Sequence, residues 1–463
     1  MRFAMKRLIC TTALIVAAAF CLSLPLLRAQ GVTYTTLDPS GSTGTQATGI
    51  SGNNVVGWYV DGNSVDHGFI YNNGTYTTLD PTGSLYTQAL GVDGNNVVGT
   101  CYLNKAAGLE GFLYNGGNYT TINPSGSTST QALGVSGANV VGYYYDSNQV
   151  THGFLYNGGV YTTIDPPGST YTRATGVSGN NVVGWYVDAS EVTHGFLYNS
   201  GTYTTIDPAG TSGTEAYGVS SNSVVGWYVD GGNVDHGFLY KGGAYTVLDP
   251  PGSTETVTYG VSANNLAGFY NHEIGGNQTE QDGFLDIGWT TVTLDPPAAS
   301  LGTVTTGVSN NSTAGYYLDS LGFSHGFLAT VTVTFAQWGA SFPIATGGAA
   351  TPENDGIPNL LKYLYDINPT RAMTAADRTA LPVFNTIVTG GTKYLTLTYR
   401  HYMFETGINL NVQTSSDLKT WTTVANPTQN QIGTDPTTGD SIMQVQVAVT
   451  SAREFIRLNV TSP

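Results

Sequence analysis

Five of the chain's seven histidines, His67, His152, His194, His236 and His325, stand directly before a Gly-Phe step. Imidazole can ligate a metal or carry a proton near neutral pH, so the set invites both chemistries. The step returns about every 42 residues, however, with Glu110 and Asp282 taking the place of histidine in the two remaining copies. A position filled in every copy of a repeat serves the architecture of each copy, and a hydrogen bond at the start of a strand is the role it implies. His272 and His401 follow no pattern.

Carboxylates are the other candidates. Asp61, Asp66, Asp188, Glu191, Asp230 and Asp235 fall in short loops, and Glu273 and Glu280 flank a loop four residues longer than its counterparts. These eight are the expected ligand-contacting residues. Two copies depart from the repeat enough to hold a unique constellation, one through Thr100, Cys101 and Lys105, the other through His272, Glu273, Glu280 and Asp282. No nucleophile elbow, phosphate-binding loop or zinc-spaced cluster is present, so no catalytic residue is assigned. Cys101 has no cysteine partner after residue 29 and stands where other copies carry Tyr, which reads as a core position.

The elements that position these residues follow from the repeat. Asp-Pro recurs at Asp38, Asp80, Asp165, Asp207, Asp249 and Asp295, with Asn123-Pro124 in the gap, at spacings of 42, 43, 42, 42, 42 and 46. Each period holds four strand-like runs between turn signals; in the fourth copy they cover 174–177, 182–188, 194–198 and 203–207, termed a, b, c and d. Strand b, Val182-Val183-Gly184-Trp185-Tyr186-Val187, is apolar on both faces, as the middle strand of a stacked blade must be. Its Trp-Tyr pairs are read as packing residues rather than as a sugar-stacking platform. The chain opens on a lone d strand, 34–38, ahead of seven a-b-c triplets with only six further d strands. The expected fold is therefore all-β, a seven-bladed β-propeller of four-stranded repeats whose N-terminal strand closes the last blade. In that topology the b-c and d-a connections share one face, and all but Asp93 and Asp286 of the 22 repeat carboxylates fall there.

The pattern Trp-Tyr-Val-Asp, short loop, His-Gly-Phe-Leu-Tyr, Tyr-Thr-Thr-Ile-Asp-Pro, as at 185–208, resembles the extracellular HAF repeat family, whose His-Ala-Phe step reads His-Gly-Phe here. The likeness covers about 31–333 and implies export and repetition but no activity. Residues 1–29 agree with export as a secretory signal: Arg2, Lys6 and Arg7 precede an apolar run from Leu8 to Leu22, with cleavage expected after Ala29. No other stretch is long and apolar enough to span a membrane. The repeat domain is set at 30–333 and a linker at 334–356; residues 357–463 are expected to form a small β-sandwich-like module with one short helix, 358–366, capped by Asp355. Glu353 to Tyr363, Ser416-Asp417-Leu418, Trp421 and Phe455-Ile456-Arg457-Leu458 resemble the terminal β-modules of many secreted bacterial proteins. The first of these runs has the outline of a Ca²⁺ loop. Thr351 and Lys362 hold its end positions, though, and a cation where the bidentate carboxylate belongs argues against the ion.

With charged residues at 10% and a net charge of -16, the chain has no surface suited to phosphates, which excludes nucleic acid as a partner. No cofactor is implied; Ca²⁺ or a cationic group is what the acidic face would collect. The expectation is a secreted or cell-surface, monomeric, non-catalytic binding or adhesion protein that engages a glycan, a protein or a surface polymer. The alternatives are a structural spacer, or a glycan-active hydrolase or lyase using carboxylates such as Glu273 and Glu280.

Overall fold

The computed structural model describes residues 31–103, 108–276, 278–288, 290–342, 347–351, 353, 355–451 and 453–462. The expected signal, 1–29, and Lys105 lie outside them. From Val32 to Val331 the chain forms four-stranded antiparallel sheets, one per repeat, in an all-β, propeller-like arrangement. In the fourth, strand a is Ser169–Ser178, b Asn181–Asp188, c Thr193–Asn199 and d Thr202–Ile206, hydrogen-bonded in that order. All four expected strands are present, although a begins at 169 rather than 174.

Local chemistry explains the pattern. The c-d turn places Ser200 and Gly201 at φ of 48° and 96°, the left-handed pair whose twist matches the flanking strands. Strand a is bulged between Ala174 and Gly176, and a Cβ on Gly184 would stand 2.0 Å from Arg173 O. Only glycine fits, which is why it interrupts the otherwise bulky strand b. Val141, Ile164, Ala174, Val182 and Phe196 make one inter-sheet layer, and Val183, Ile206, Ala216, Val224 and Phe238 make the next. Neighbouring residues Val182 and Val183 thus enter opposite layers, and both are fully buried, as the two-faced composition of strand b required.

Strand a of all seven repeats borders one cavity of about 180 Å³. The N-terminal strand Val32–Thr36 pairs antiparallel with Ser324–Val331 and completes the seventh sheet. The seventh and first repeats are bonded as other neighbours are. Thr306 Oγ1 donates to Ala47 O at 3.0 Å, as Thr175 Oγ1 does to Ala216 O at 2.8 Å. Gly52 N donates to Ser309 Oγ at 3.0 Å, as Gly179 N does to Ser136 Oγ at 3.2 Å.

The stretch expected as a linker opens instead with a helix, Phe335–Ala340, whose reciprocal cap joins Thr334 and Gln337. Its Trp338 enters an apolar core that also takes Ile287, Val308 and Val331 from the sixth and seventh repeats and Tyr363, Tyr402 and Phe404 from the C-terminal module. Asn265 Nδ2 donates to Met403 Sδ at 3.5 Å beside the same contact. The module is thus seated on the a-b and c-d turns, while the opposite loops keep exposed residues such as Asn63, Ser64, Ser190 and Glu191. The expected helix runs Asn359–Leu364, and Asp355 is not its cap: it accepts from Ile357 N and pairs with Lys362. A short helix, Ala375–Thr379, was not among the expected elements; Thr374 and Asp377 cap it reciprocally. The remaining strands form a four-stranded sheet, a three-stranded sheet and a two-stranded parallel pair, Val333–Thr334 with Glu405–Thr406. Apolar and polar residues alternate from Leu395 to Arg400, a pattern that by itself faces Arg400 to water; it is buried, because its guanidinium donates to Tyr365 O and Asp366 O and pairs with Asp435 and Asp440. Among the described residues no helix is long and apolar enough to cross a membrane.

Candidate functional site

Each recurring histidine is clamped between two aspartates. His67 Nδ1 lies 2.7 Å from Asp80 Oδ2, and its Nε2 is 3.6 Å from Asp61 Oδ2. His194 repeats this with Asp207 at 2.6 Å and Asp188 at 3.5 Å, and His236 with Asp249 at 2.6 Å and Asp230 at 3.5 Å. His325 bonds Asp38 at 2.7 Å, so the clamp also ties the N-terminal segment to the seventh sheet. Tyr59, Tyr186, Tyr228 and Tyr317 stack on the imidazoles from strand b. The rings are spent on architecture, as repetition implied.

The two exceptions obey the same electrostatics. Where Glu110 replaces histidine, Asn123 replaces the aspartate it would face, and Asn123 Oδ1 still accepts from Gly111 N at 3.4 Å. In the sixth sheet the pair is reversed. Asp282 holds the histidine position and His272, inside the longer strand b, the position that Asp61 holds in the first repeat, with Nδ1 3.5 Å from Asp282 Oδ2. His272, which followed no pattern in the sequence, stands two residues after Tyr270 as Asp61 stands two after Tyr59; the offset was the available signal.

These clamps predict a pH profile. Burial alone would lower the pKa of His67, His236 and His325, but hydrogen bonds to Asp80, Asp249 and Asp38 hold it above the ordinary imidazole value. Backbone N–H donors, those of Val65, Val192 and Val234 first, hold Asp61, Asp188 and Asp230 below the ordinary carboxylate value. The imidazole contribution is complete below the unfolded histidine pKa and is lost as pH rises through the higher folded value. The aspartate contribution is complete above the unfolded value and is lost as pH falls through the lower folded one. Melting temperature measured against pH is therefore expected to peak between about 4 and 6.5 and to decline on the alkaline side. A His67→Asn/His236→Asn variant should flatten that alkaline decline; an unchanged decline would refute the assignment.

The eight expected ligand residues are spread over four sheets rather than gathered. Asp61, Asp188 and Asp230 are engaged internally: Oδ1 of each accepts from the N–H groups two and four residues on, at 2.7–3.0 Å. Asp66 accepts from Gln88 Nε2 of the next sheet at 2.8 Å. Burial pushes the carboxyls of Asp66 and Asp235 up, with Glu255 adding to the effect at Asp235. Glu191, Glu273 and Glu280 are exposed. The longer loop proves to be a longer hairpin, Asn265–Gly275 with Gln278–Asp286. Among the described residues no three His, Cys, Asp or Glu side chains converge as metal ligands would. Cys101 is buried, and that burial, with Glu110 nearby, pushes its thiol up to about 12, an inert core thiol.

Residues missed from the sequence lie in strand a. One column there is uniform, Thr in all seven copies from Thr45 to Thr303, and buried. The adjacent column changes chemistry: Gln46, Gln88, Gln131, Arg173, Glu215, Val257 and Val304. Across the strand pair, Arg173 faces Trp185 and Glu215 faces Trp227. The Arg173 guanidinium carbon sits 4.3 Å from the Tyr143 ring centre and 5.4 Å from those of Tyr171 and Trp185, and the last two rings stack at 5.1 Å. In the next sheet Tyr217 Oη donates to Glu215 Oε2 at 2.6 Å. Burial pushes the Glu215 carboxyl up, against that hydrogen bond and the pull of Arg173. Tyr143 is buried, as packing requires, whereas Trp185 and Trp227 keep part of their surface open.

No protein-family profile and no curated protein matches the chain. Among solved structures, it is similar to the β-propeller domain of the Trilobed protease from Pyrococcus furiosus, at 8% identity and a TM-score of 0.46, over 62% of this chain and 95% of that one. It is also similar to the six-bladed lectin of Aleuria aurantia, at 13% identity and a TM-score of 0.35, over 56% and 97% of the two chains. The BP39L lectin from Burkholderia pseudomallei gives 13% and 0.38, over 65% and 96%. Likeness at this level carries no ligand across to this chain.

Proposed function

We propose that the chain is an exported, non-catalytic binding protein of the HAF-repeat kind, a closed seven-bladed propeller that presents its b-c/d-a face to an extracellular glycan or surface polymer. Closure is supported by the N-terminal strand in the seventh sheet and by the bonds from Thr306 and Gly52 between the seventh and first repeats. The observation that carries the reading is the seating of the C-terminal module on the a-b and c-d turns, which mounts the propeller by one side and leaves the other free. On that free side the recurrent histidines and aspartates are consumed in holding turns, and Glu273 and Glu280 stand exposed on a hairpin rather than facing each other in a cleft.

The full chain, secreted and incubated with cell-wall polysaccharides and surface proteins, is expected to retain a partner in pull-down and to release it chemically unchanged. New reducing ends that vanish on Glu273→Gln or Glu280→Gln would make it an enzyme instead.

A further inference from the structure

We propose that the junction of the third, fourth and fifth sheets, at the loop-face end of strand a, binds a neutral pyranose ring of a glycan, with Trp185 as the stacking surface and Arg173 and Glu215 as polar contacts. The inference rests on the binding role proposed above and gives it a site.

Three observations lead there. The first is where the repeat varies. Packing keeps the threonine column constant in all seven copies, yet the column beside it runs from Gln through Arg and Glu to Val. Arg and Glu each occur once in that column, in the neighbouring fourth and fifth copies, so the symmetry of the repeats is broken at that junction.

The second is Arg173 itself. Residues 31–333 hold 22 carboxylates and three cations, Lys105, Arg173 and Lys241. Among the described residues Arg173 joins no ion pair; its guanidinium is held over aromatic rings, and the side chain is only half-buried. A guanidinium carries five N–H donors, and one that is not committed to a carboxylate keeps donors for a ligand.

The third is the combination of surfaces. A pyranose has an apolar C–H face, which stacks on an indole, and a rim of hydroxyls that both donate and accept. Trp185 and Trp227 supply partly exposed indole, Trp185 with one face covered by Tyr171, Arg173 supplies donors, and Glu215, oriented by Tyr217, supplies acceptors. The two opposite charges attract without closing into an ion pair. An anionic ligand would meet Glu215 and the acidic loops, and a cationic one would meet Arg173, so a neutral ring suits the site best.

The test uses the full chain on an array of neutral and acidic oligosaccharides, followed by calorimetry and tryptophan fluorescence with the best neutral binder. Binding should shift the tryptophan emission, and Trp185→Ala and Arg173→Met should each weaken affinity about tenfold, while Trp185→Phe keeps most of it and Lys241→Gln changes nothing. Thermal melts establish that each variant is folded. Neutral-glycan binding that survives both substitutions, or binding confined to acidic sugars or to proteins, overturns this site and leaves the binding role standing. A wild-type chain that retains neither sugar nor protein overturns both.

Discussion

Removing residues 31–38 will cost the repeat domain more than any other excision of that length. The segment supplies five antiparallel pairs to Ser324–Val331, from Val32 opposite Val331 to Thr36 opposite Phe327. It also supplies Leu37, fully buried against Ala47, Val55 and Ala314 of the neighbouring layer, and Asp38, which clamps His325 at 2.7 Å. Loss of Leu37 alone is a large-to-small core change, so the full deletion should exceed about 5 kcal/mol, on the order of 10 °C in the melting midpoint. The exposed c strand then becomes a free sheet edge, and gel filtration should show self-association. A melting curve within about 2 °C of the parent, with a monodisperse profile, would show that the seventh sheet does not need its first strand.

Asp355→Ala is the second large effect. Lys362 Nζ is fully inaccessible and lies 2.7 Å from Asp355 Oδ2, itself nearly buried. Burial alone would raise the Asp355 carboxyl, but the Lys362 hydrogen bond and the Ile357 N–H hold it below the usual range. Removing the carboxylate strands an ammonium in the interior, which costs about 3–5 kcal/mol. The double variant Asp355→Ala/Lys362→Met should recover most of that loss, because no charge is then left buried. Recovery distinguishes a pairing effect from simple loss of a loop residue. The lysine already neutralises the carboxylate, so chelation with EDTA should leave the melting midpoint of the parent unchanged. A midpoint that falls with EDTA would restore a metal to this loop.

The sequence by itself determined what is periodic. Strand order, the c-d turn at Ser200-Gly201, the two-faced burial of strand b and the surplus of one d strand all follow from local rules repeated seven times, and repetition averages out the ambiguity of any one copy. It also gave the architectural role of His67 and its equivalents, though not their partners: Asp80 lies 13 residues away on another strand, and the pairing register had to bring the two together. The C-terminal module was legible only in part, because it has no repeat against which to check alternation. Arg400 looked solvent-facing from its neighbours, and it is buried by Asp435, Asp440 and two carbonyls supplied from distant segments. Only the tertiary structure decided which side of the sheets the module covers and which column of strand a meets an open aromatic surface. Both depend on contacts between residues far apart in the chain, such as Asn265 with Met403 or Arg173 with Tyr143, and local periodicity carries no information about which distant surfaces are brought together.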